Sequence, residues 1–304
     1  MNKHVAVLMG GWSSEREVSL ESGKACAAAL RECGHRVTEI DMSRDLRQLL
    51  DALEPRPDVV FNALHGRYGE DGTVQAIFDI LQIPYTHSGL LASAIAMDKV
   101  QAKKILAAAG IPSPEGVVVD RKTLEKGPPL KAPCVIKPVN EGSSVGVQII
   151  QDEDTPLDLS KWGVDQALLV EEFIPGRELT VAVMGDRALG VTELKPKTGF
   201  YDYTAKYTDG KTTHLCPARI NKRTADEAMR FAERAHVALG CRGVSRSDFR
   251  YDDTDGEPGR LYMLEVNTQP GMTSLSLVPE QASAVGISFA TLVDWMVEQA
   301  RFEN

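Results

Sequence analysis

The stretch APCVIKPVNEGSSVGVQII, residues 132–150, decides the fold by what it excludes. Two apolar runs flank a short polar loop, the pattern of a hairpin with a mobile tip. Lys137 emerges from the first run, and the Gly/Ser loop behind it offers backbone N–H groups and hydroxyls that can cup phosphate oxygens. In the common NTPase loop, G-x-x-x-x-G-K-[ST], the lysine follows the glycines into a helix. Here the lysine precedes the loop on a strand, so that fold is excluded. Taken alone, the loop is also compatible with a plain hairpin turn.

Upstream, strand-like VAVLM, RVTEID and DVVFNAL alternate with helical SSEREVSLESGKACAAALRECG, LRQLLDAL and TVQAIFDIL. This β-α-β-α order predicts a parallel sheet flanked by helices. Ligands gather at the carboxyl ends of such strands, where MGGWSSERE and LHGRYGEDG fall. The first lacks G-x-G-x-x-G, and Ser14 with Glu17 reads as a capping box, which leaves Glu15 without that role. His65 precedes a glycine in the second loop, a position from which a side chain can face a ligand. The other histidines, His4, His35, His87, His214 and His236, have no chemistry-bearing neighbours in sequence, and His236 reads as a helix-surface residue.

Past IPYTHSGLLASAIAMDK a helix, VQAKKILAAAG, stops at Gly110 before IPSPEG. A boundary is placed near residue 95, and a second near residue 180, after the strand ALLVEEFI and within PGRELTVAVMGD. In LLVEEFIPGRE a strand edge followed by a tight turn could offer Glu171, Glu172 and Ile174 to a nucleotide base, with Glu178 for the ribose, although a Glu-Glu pair on a strand is more often surface. The last third holds a helix, TADEAMRFAERAHVALG, with a Thr224/Glu227 capping box, then the hairpin SRSDFRYDDTDGEPGRLYMLEVN, and a closing helix from about Phe289.

Strand alternation puts Arg246 with Asp248, and Glu265 with Asn267, on shared faces of that hairpin. Paired across it, two carboxylates, an amide and a guanidinium meet in one patch. Buried carboxylates without a cation cost several kcal/mol each, so an oxygen-bound Mg²⁺ is the natural compensation. A solvated polar face is the alternative.

The 304 residues, 43% hydrophobic and 25% charged, can bury a real core in two or three units, and no apolar run approaches the ~20 residues of a membrane helix. A short apolar start without a cleavage site points to the cytoplasm. The five cysteines, Cys26, Cys33, Cys134, Cys216 and Cys241, are scattered without C-x-x-C, so most are expected to be small core residues. A net charge of -9 with no basic run argues against nucleic acid. GFYDYTAKYTDG, residues 199–210, is too polar for core yet holds Tyr201, Tyr203 and Tyr207.

Together, GGWSSEREVS, LHGRYGEDG, AMDK, VIKPVNEGSSVG, GFYDYTAKY, SRSDF and LEVNTQPGMTSLSLVP closely resemble the motifs of bacterial D-alanine:D-alanine ligases, from the first strand to the last helix. The resemblance implies the ATP-grasp fold, an α/β architecture in three domains: an N-terminal parallel α/β domain over 1–95, a central α+β domain over 96–180 and a C-terminal α+β domain over 181–304. It implies that ATP lies between the last two domains, its phosphates held by Lys99, Lys137 and Lys206 under a loop that includes Ser144, with Glu171, Glu172 and Ile174 at the base and Glu178 at the ribose. Two Mg²⁺ ions, with Mn²⁺ able to substitute, are expected on Asp248, Glu265 and Asn267. Glu15 is expected to anchor the first D-alanine, with a chain through Ser143 and Tyr207 positioning the loop. Arg246 and the N–H near Gly271 are expected to face the oxyanion, and Ser276 to take the second carboxylate, with His65 and Leu277 also lining the substrate site. The tyrosine loop becomes a lid that keeps water from an acyl phosphate, since tyrosines combine apolar faces with a hydroxyl. A homodimer follows from the resemblance only.

Two positions depart from the family pattern: Ala76 stands where glycine is common, and Glu172 where a lysine is common, which removes a positive charge near the adenine. The implied reaction is ATP-dependent joining of two D-alanines for peptidoglycan precursors. Rivals are a ligase joining D-alanine to D-lactate, whose relatives alter the lid tyrosine present here as Tyr207, and a non-catalytic nucleotide sensor, which needs neither metal ligands nor lid. A nicotinamide oxidoreductase would need the missing glycine fingerprint.

Overall fold

In the computed structural model, residues 2–197 and 210–303 are described. The chain opens with β1 (His4–Gly10), β2 (Arg36–Met42) and β3 (Val59–Asn62), all parallel in the order β2-β1-β3. Helices α1 (Arg16–Glu32), α2 (Leu46–Ala52) and α3 (Thr73–Leu81) connect and flank them. Alternation along β1 sends Val5, Val7 and Met9 to a core with α1, and Ala6 and Leu8 to one with Leu49, Phe78 and Tyr85. A strand covered on both faces reads as an unbroken apolar run, as VAVLM does. Gly23 allows α1 to lie this close, because a Cβ there would stand 2.5 Å from that of Met9.

Next come α4 (Leu90–Met97) and α5 (Lys99–Ala108). Asp98 caps α5, its Oδ1 accepting from the N–H groups of Val100 at 2.9 Å and Gln101 at 3.0 Å. The cap makes Lys99 the first helical residue, and Gly110, in the left-handed region at φ 69°, follows the helix end.

Two antiparallel sheets make up the remainder. One has β4 (Gly116–Val119), β5 (Cys134–Pro138), β6 (Gln148–Ile150) and β7 (Leu168–Glu172), ordered β4-β7-β5-β6, with a short helix α6 (Arg121–Leu124). Its β5–β6 pair is the hairpin expected of the opening stretch. The other has β8 (Arg177–Met184), β9 (Arg187–Pro196), β10 (Thr212–Leu215), β11 (Val244–Asp252) and β12 (Arg260–Asn267), ordered β10-β9-β8-β11-β12. Helix α7 (Lys222–Ala238) covers it through Ala228, Ala232 and Ala235, and α8 (Leu277–Ala284) and α9 (Phe289–Glu298) join the core shared with α1. Among the described residues no helix is long and apolar enough to cross a membrane.

Four local expectations are corrected. Helix α1 starts at Arg16, and Ser13, not Ser14, accepts the nearby N–H of Glu15 at 3.2 Å, so the Ser14/Glu17 box does not form. Helix α7 starts before Thr224: Asn221 caps it by accepting from the Arg223 N–H at 2.9 Å, while the buried Thr224 hydroxyl donates to the Tyr251 hydroxyl. His236 is buried at 4% exposure, because it extends the alanine stripe of α7, and its Nδ1 lies 2.7 Å from the Ser245 hydroxyl. Of the cysteines, all free, only Cys26 and Cys134 are fully buried; Cys33 is exposed.

Candidate active site

Two adjoining cavities lie where the three sheets meet, and Lys99, Glu141 and Glu265 line both. The first is lined by Glu15, His65, Ser143, Arg246, Asn267, Gly271, Ser276 and Leu277. The second holds Lys137, Ser144, Glu171, Glu172, Ile174, Glu178 and Asp248. The structure thus brings every expected site residue to one or both cavities except Lys206 and Tyr207, which lie outside the described residues.

In the first cavity Glu15 is buried at the start of α1 and accepts from the Ser143 hydroxyl, so the hairpin loop reaches the parallel sheet. Gly66 makes room for that carboxylate: it sits at φ 72°, and a Cβ there would lie 2.7 Å from Glu15 Oε2. The His65 ring bridges Glu70 Oε1 at 3.2 Å and the Ser22 hydroxyl at 3.0 Å. Opposite, the Ser276 hydroxyl accepts from the Thr273 N–H at 2.9 Å, at the N-terminal end of α8. Close approach at Gly271 explains its lack of a side chain, since a Cβ would meet Ser276 Oγ at 2.8 Å. Leu277 packs on Leu194 and closes the floor.

Hairpin β11–β12 carries the charged patch. Its register sets Arg246 opposite Asn267 and Asp248 opposite Glu265, then shifts so that Phe249 faces Met263. Leu264 is the extra residue of this bulge, and it lines the second cavity beside Glu265. Arg246 grips Asp248 with two parallel bonds, Nε to Oδ1 at 2.9 Å and Nη2 to Oδ2 at 2.8 Å, and the Thr180 hydroxyl donates to Asp248 Oδ1 at 2.7 Å. Glu265 Oε2 stands 3.7 Å from Lys99 Nζ, which also donates to the Glu141 carbonyl at 2.5 Å. Asn267 Oδ1 accepts from the Gln269 N–H at 2.9 Å and keeps a second lone pair. Among the described residues no three His, Cys, Asp or Glu side chains converge, so the oxygen donors here are two carboxylates and one amide. An all-oxygen set of this kind fits a hard divalent cation.

The second cavity has apolar walls, including Val135, Val145, Val147, Ile149 and Leu264. Ser143 and Ser144, at φ 49° and 60°, put two successive non-glycine residues in the left-handed region at the loop tip, a turn whose N–H groups can converge on an anion. Glu171 goes against the surface alternative for the Glu-Glu pair: it is 2% exposed and pairs with Lys103 and, at 2.5 Å, with Lys137. Burial would raise its carboxyl, but the two ammonium groups outweigh burial and hold it below the usual carboxylate range. Glu172 alone faces outward, and its Oε1 accepts from the Glu115 N–H at 3.0 Å.

Sequence reasoning missed several contributors. Glu70 lay in a loop already marked, and Lys103 stands one turn from Lys99 on the same helix face, a signal that was available. The buried pair Asn62 and Gln269, joined at 2.8 Å, ties β3 to the loop after β12 and had no such signal.

Comparison with known proteins agrees with this geometry. The family described as D-ala D-ala ligase C-terminus matches residues 105–298, and D-ala D-ala ligase N-terminus matches 46–88. A D-alanine--D-alanine ligase of Rhizorhabdus wittichii is 59% identical over 98% of this chain and 96% of its own. One from Paramagnetospirillum magneticum is 59% identical over 99% of each. Among solved structures, a Bacillus anthracis D-alanine--D-alanine ligase complexed with ATP superposes with a TM-score of 0.80 at 32% identity, covering 98% and 97% of the two chains. A D-Ala:D-Ser ligase from Enterococcus faecalis gives 0.79 at 32% identity, covering 98% and 99%. The chain belongs to the D-alanine--D-alanine ligase family and has its ATP-grasp fold.

Proposed function

With that membership as the premise, we propose that the protein joins two D-alanine molecules into D-alanyl-D-alanine with ATP, for peptidoglycan precursor synthesis. One observation carries the reading: Glu15, Ser143, Arg246 and Ser276, from four distant segments, line a single cavity that shares Lys99 and Glu265 with a second, apolar-walled one. An amino-acid site and a nucleotide site therefore adjoin, as phosphoryl transfer between them requires.

In this mechanism Glu15 anchors the ammonium of the first D-alanine, beside His65. The carboxylate of that first D-alanine attacks the γ-phosphate, breaking the bond to ADP and forming an acyl phosphate on the substrate. The amine of the second D-alanine, its own carboxylate held by Ser276 and the N-terminal end of α8 over Leu277, attacks that carbonyl. The tetrahedral oxyanion faces Arg246 and the N–H near Gly271, and phosphate leaves as the carbonyl re-forms. Lys99, Lys137, Lys206 and Ser144 hold the phosphates, Glu171, Glu172 and Ile174 meet the base, and Glu178 meets the ribose. Asp248, Glu265 and Asn267 would hold Mg²⁺, or Mn²⁺ in its place, which supplies charge neutralisation to the polyphosphate. Tyr207 belongs to the lid that excludes water. Three units, 1–95, 96–180 and 181–304, a homodimer and a cytoplasmic location complete the proposal.

The test is phosphate release: it should require ATP, Mg²⁺ and D-alanine together, and release indifferent to D-alanine would overturn the reading. Likeness to a D-Ala:D-Ser ligase at nearly the same TM-score makes the second substrate a separate question. Mass spectrometry of products formed with D-alanine, D-serine and D-lactate in competition should give chiefly the D-alanine dipeptide.

A further inference from the structure

Glu171 is 2% exposed, and its carboxylate has a cation on each oxygen: Lys103 at Oε1, and Lys137 at Oε2 2.5 Å away. The two lysines differ in where they stand. Lys137 lines the second cavity together with Glu171, whereas Lys103 reaches the carboxylate from α5 behind the wall, outside the cavity lining. There Lys103 also donates to the Pro114 carbonyl, which anchors it independently of Glu171. The outward carboxylate of Glu172 adds a weaker negative neighbour.

A carboxylate this deeply buried is strongly destabilised if it is left without a cation. In the arrangement seen here the ammonium of Lys137 is committed to Glu171, yet a phosphate in the cavity would compete for the same ammonium. Lys103 makes the exchange possible, because one cation stays on Glu171 when the other turns away. Together the three groups carry one net positive charge, which is available to the phosphates. Remove Lys103, and Glu171 with Lys137 form a neutral pair that resists being opened.

We propose that Lys103 is a positioning residue for nucleotide binding: it leaves one cation on Glu171 when Lys137 turns away, and so releases Lys137 to the phosphates. The inference rests on the second cavity being the nucleotide site. It requires Lys103 to act on the phosphate part of the ligand while standing on the far side of the wall from it, which a role in packing alone does not do.

Calorimetric titration with adenosine and with Mg²⁺-free ADP tests it on the full chain. Lys103→Gln should weaken ADP about tenfold, the effect of one charge-assisted hydrogen bond, while adenosine changes less than about threefold. Lys137→Met should do the same, and the double variant should be no worse than the weaker-binding single, because both changes remove the same phosphate contact. Lys103→Arg should restore ADP binding, and in a Glu171→Gln background Lys103→Gln should have little further effect. Equal weakening of adenosine and ADP in folded Lys103→Gln, or full additivity with Lys137→Met, would overturn the proposal. If the wild type binds neither ligand, the nucleotide-site reading fails with it, a result distinct from the other two.

Discussion

The second cavity is walled by strands of two antiparallel sheets, whereas the first is closed by loops drawn from stretches hundreds of residues apart. Apolar strand residues give the proposed nucleotide side its shape, and single cations project from regular elements: Lys137 from β5, Lys99 from the capped start of α5. On the proposed amino-acid side no element supplies more than a few groups, and alignment depends on isolated bonds such as the buried one from Asn62 to Gln269 and the part-buried one from Ser143 to Glu15. The difference teaches where damage should appear. Changes in the first cavity should lower kcat, because many separately held groups must converge on one reacting atom. Changes in the second should raise the KM for ATP, because the binding surface survives the loss of one contact.

The strongest way to break that contrast is Arg246→Ala. Losing one preorganised donor to a developing oxyanion costs roughly 3–4 kcal/mol, or two to three decades in rate. Steady-state kinetics should show kcat reduced by that amount, with the KM for ATP nearly unchanged. A rise in KM at constant kcat would place Arg246 functionally on the nucleotide side. The grip of Arg246 on Asp248 adds a check, since Asp248 then loses its bidentate partner and the Mg²⁺ dependence should shift as well.

The pH dependence of stability sharpens the same contrast through the back of β11. Burial pushes the His236 imidazole down to about 4 from its ordinary 6.5, and His87, buried beside β3, goes the same way to about 3. A depressed folded-state value means that the unfolded chain binds the proton first. The stabilisation is therefore complete above pH 6.5 and is lost as pH falls toward the folded values. For His236 the loss amounts to about 3 kcal/mol at roughly 1.4 kcal/mol per unit. Chemical denaturation from pH 7 to pH 4 should show it, and His236→Asn should flatten part of the slope. An unchanged slope would mean that His236 opens to water before the sheet unfolds.

A smaller effect is expected at the join between the regions. Asn62→Ala leaves Gln269 Oε1 without its donor in a buried setting, at about 1–3 kcal/mol, while the Gly69 carbonyl keeps the Gln75 side-chain N–H at 2.8 Å. Thermal unfolding should fall by a few degrees, and kcat should drop while the KM for ATP holds. If ATP binding suffers instead, the loop after β12 serves the nucleotide side more than its position suggests.

How much of this was legible follows the same division. The alternation of VAVLM, RVTEID and DVVFNAL with helical stretches announced a parallel sheet, and the two hairpins followed from alternation around polar turns. Register alone then collected Arg246, Asp248, Glu265 and Asn267 into one patch. Nothing local says that Glu15 meets Ser143 across 128 positions, or that Asn62 meets Gln269 across 207, because such contacts depend on how sheets pack. Glu15 and Ser143 were joined only through resemblance to a family, and the Asn62–Gln269 pair was not foreseen at all. Caps failed where tertiary contacts outbid local chemistry: Thr224 points inward to Tyr251, so Asn221 takes the cap.

The mildest test concerns one cap on the nucleotide side. Asp98 receives the N–H groups of Val100 and Gln101 and thereby starts α5, the helix that presents Lys99 to both cavities and Lys103 to Glu171. Asp98→Ala should destabilise the protein by about 1 kcal/mol, the usual value for losing such a cap. The kinetic consequence separates two accounts of the pocket. If the strands alone shape it, the KM for ATP should stay at its wild-type value, because no wall residue has moved. If the first turn of α5 must be rigid for its lysines to bear on the phosphates, the KM should rise a few-fold and kcat should change less. Asp98→Asn, which retains an accepting oxygen, should recover most of the stability and all of the affinity. A fall in kcat at constant KM would contradict both, because it would place the start of α5 with the converging loops of the first cavity.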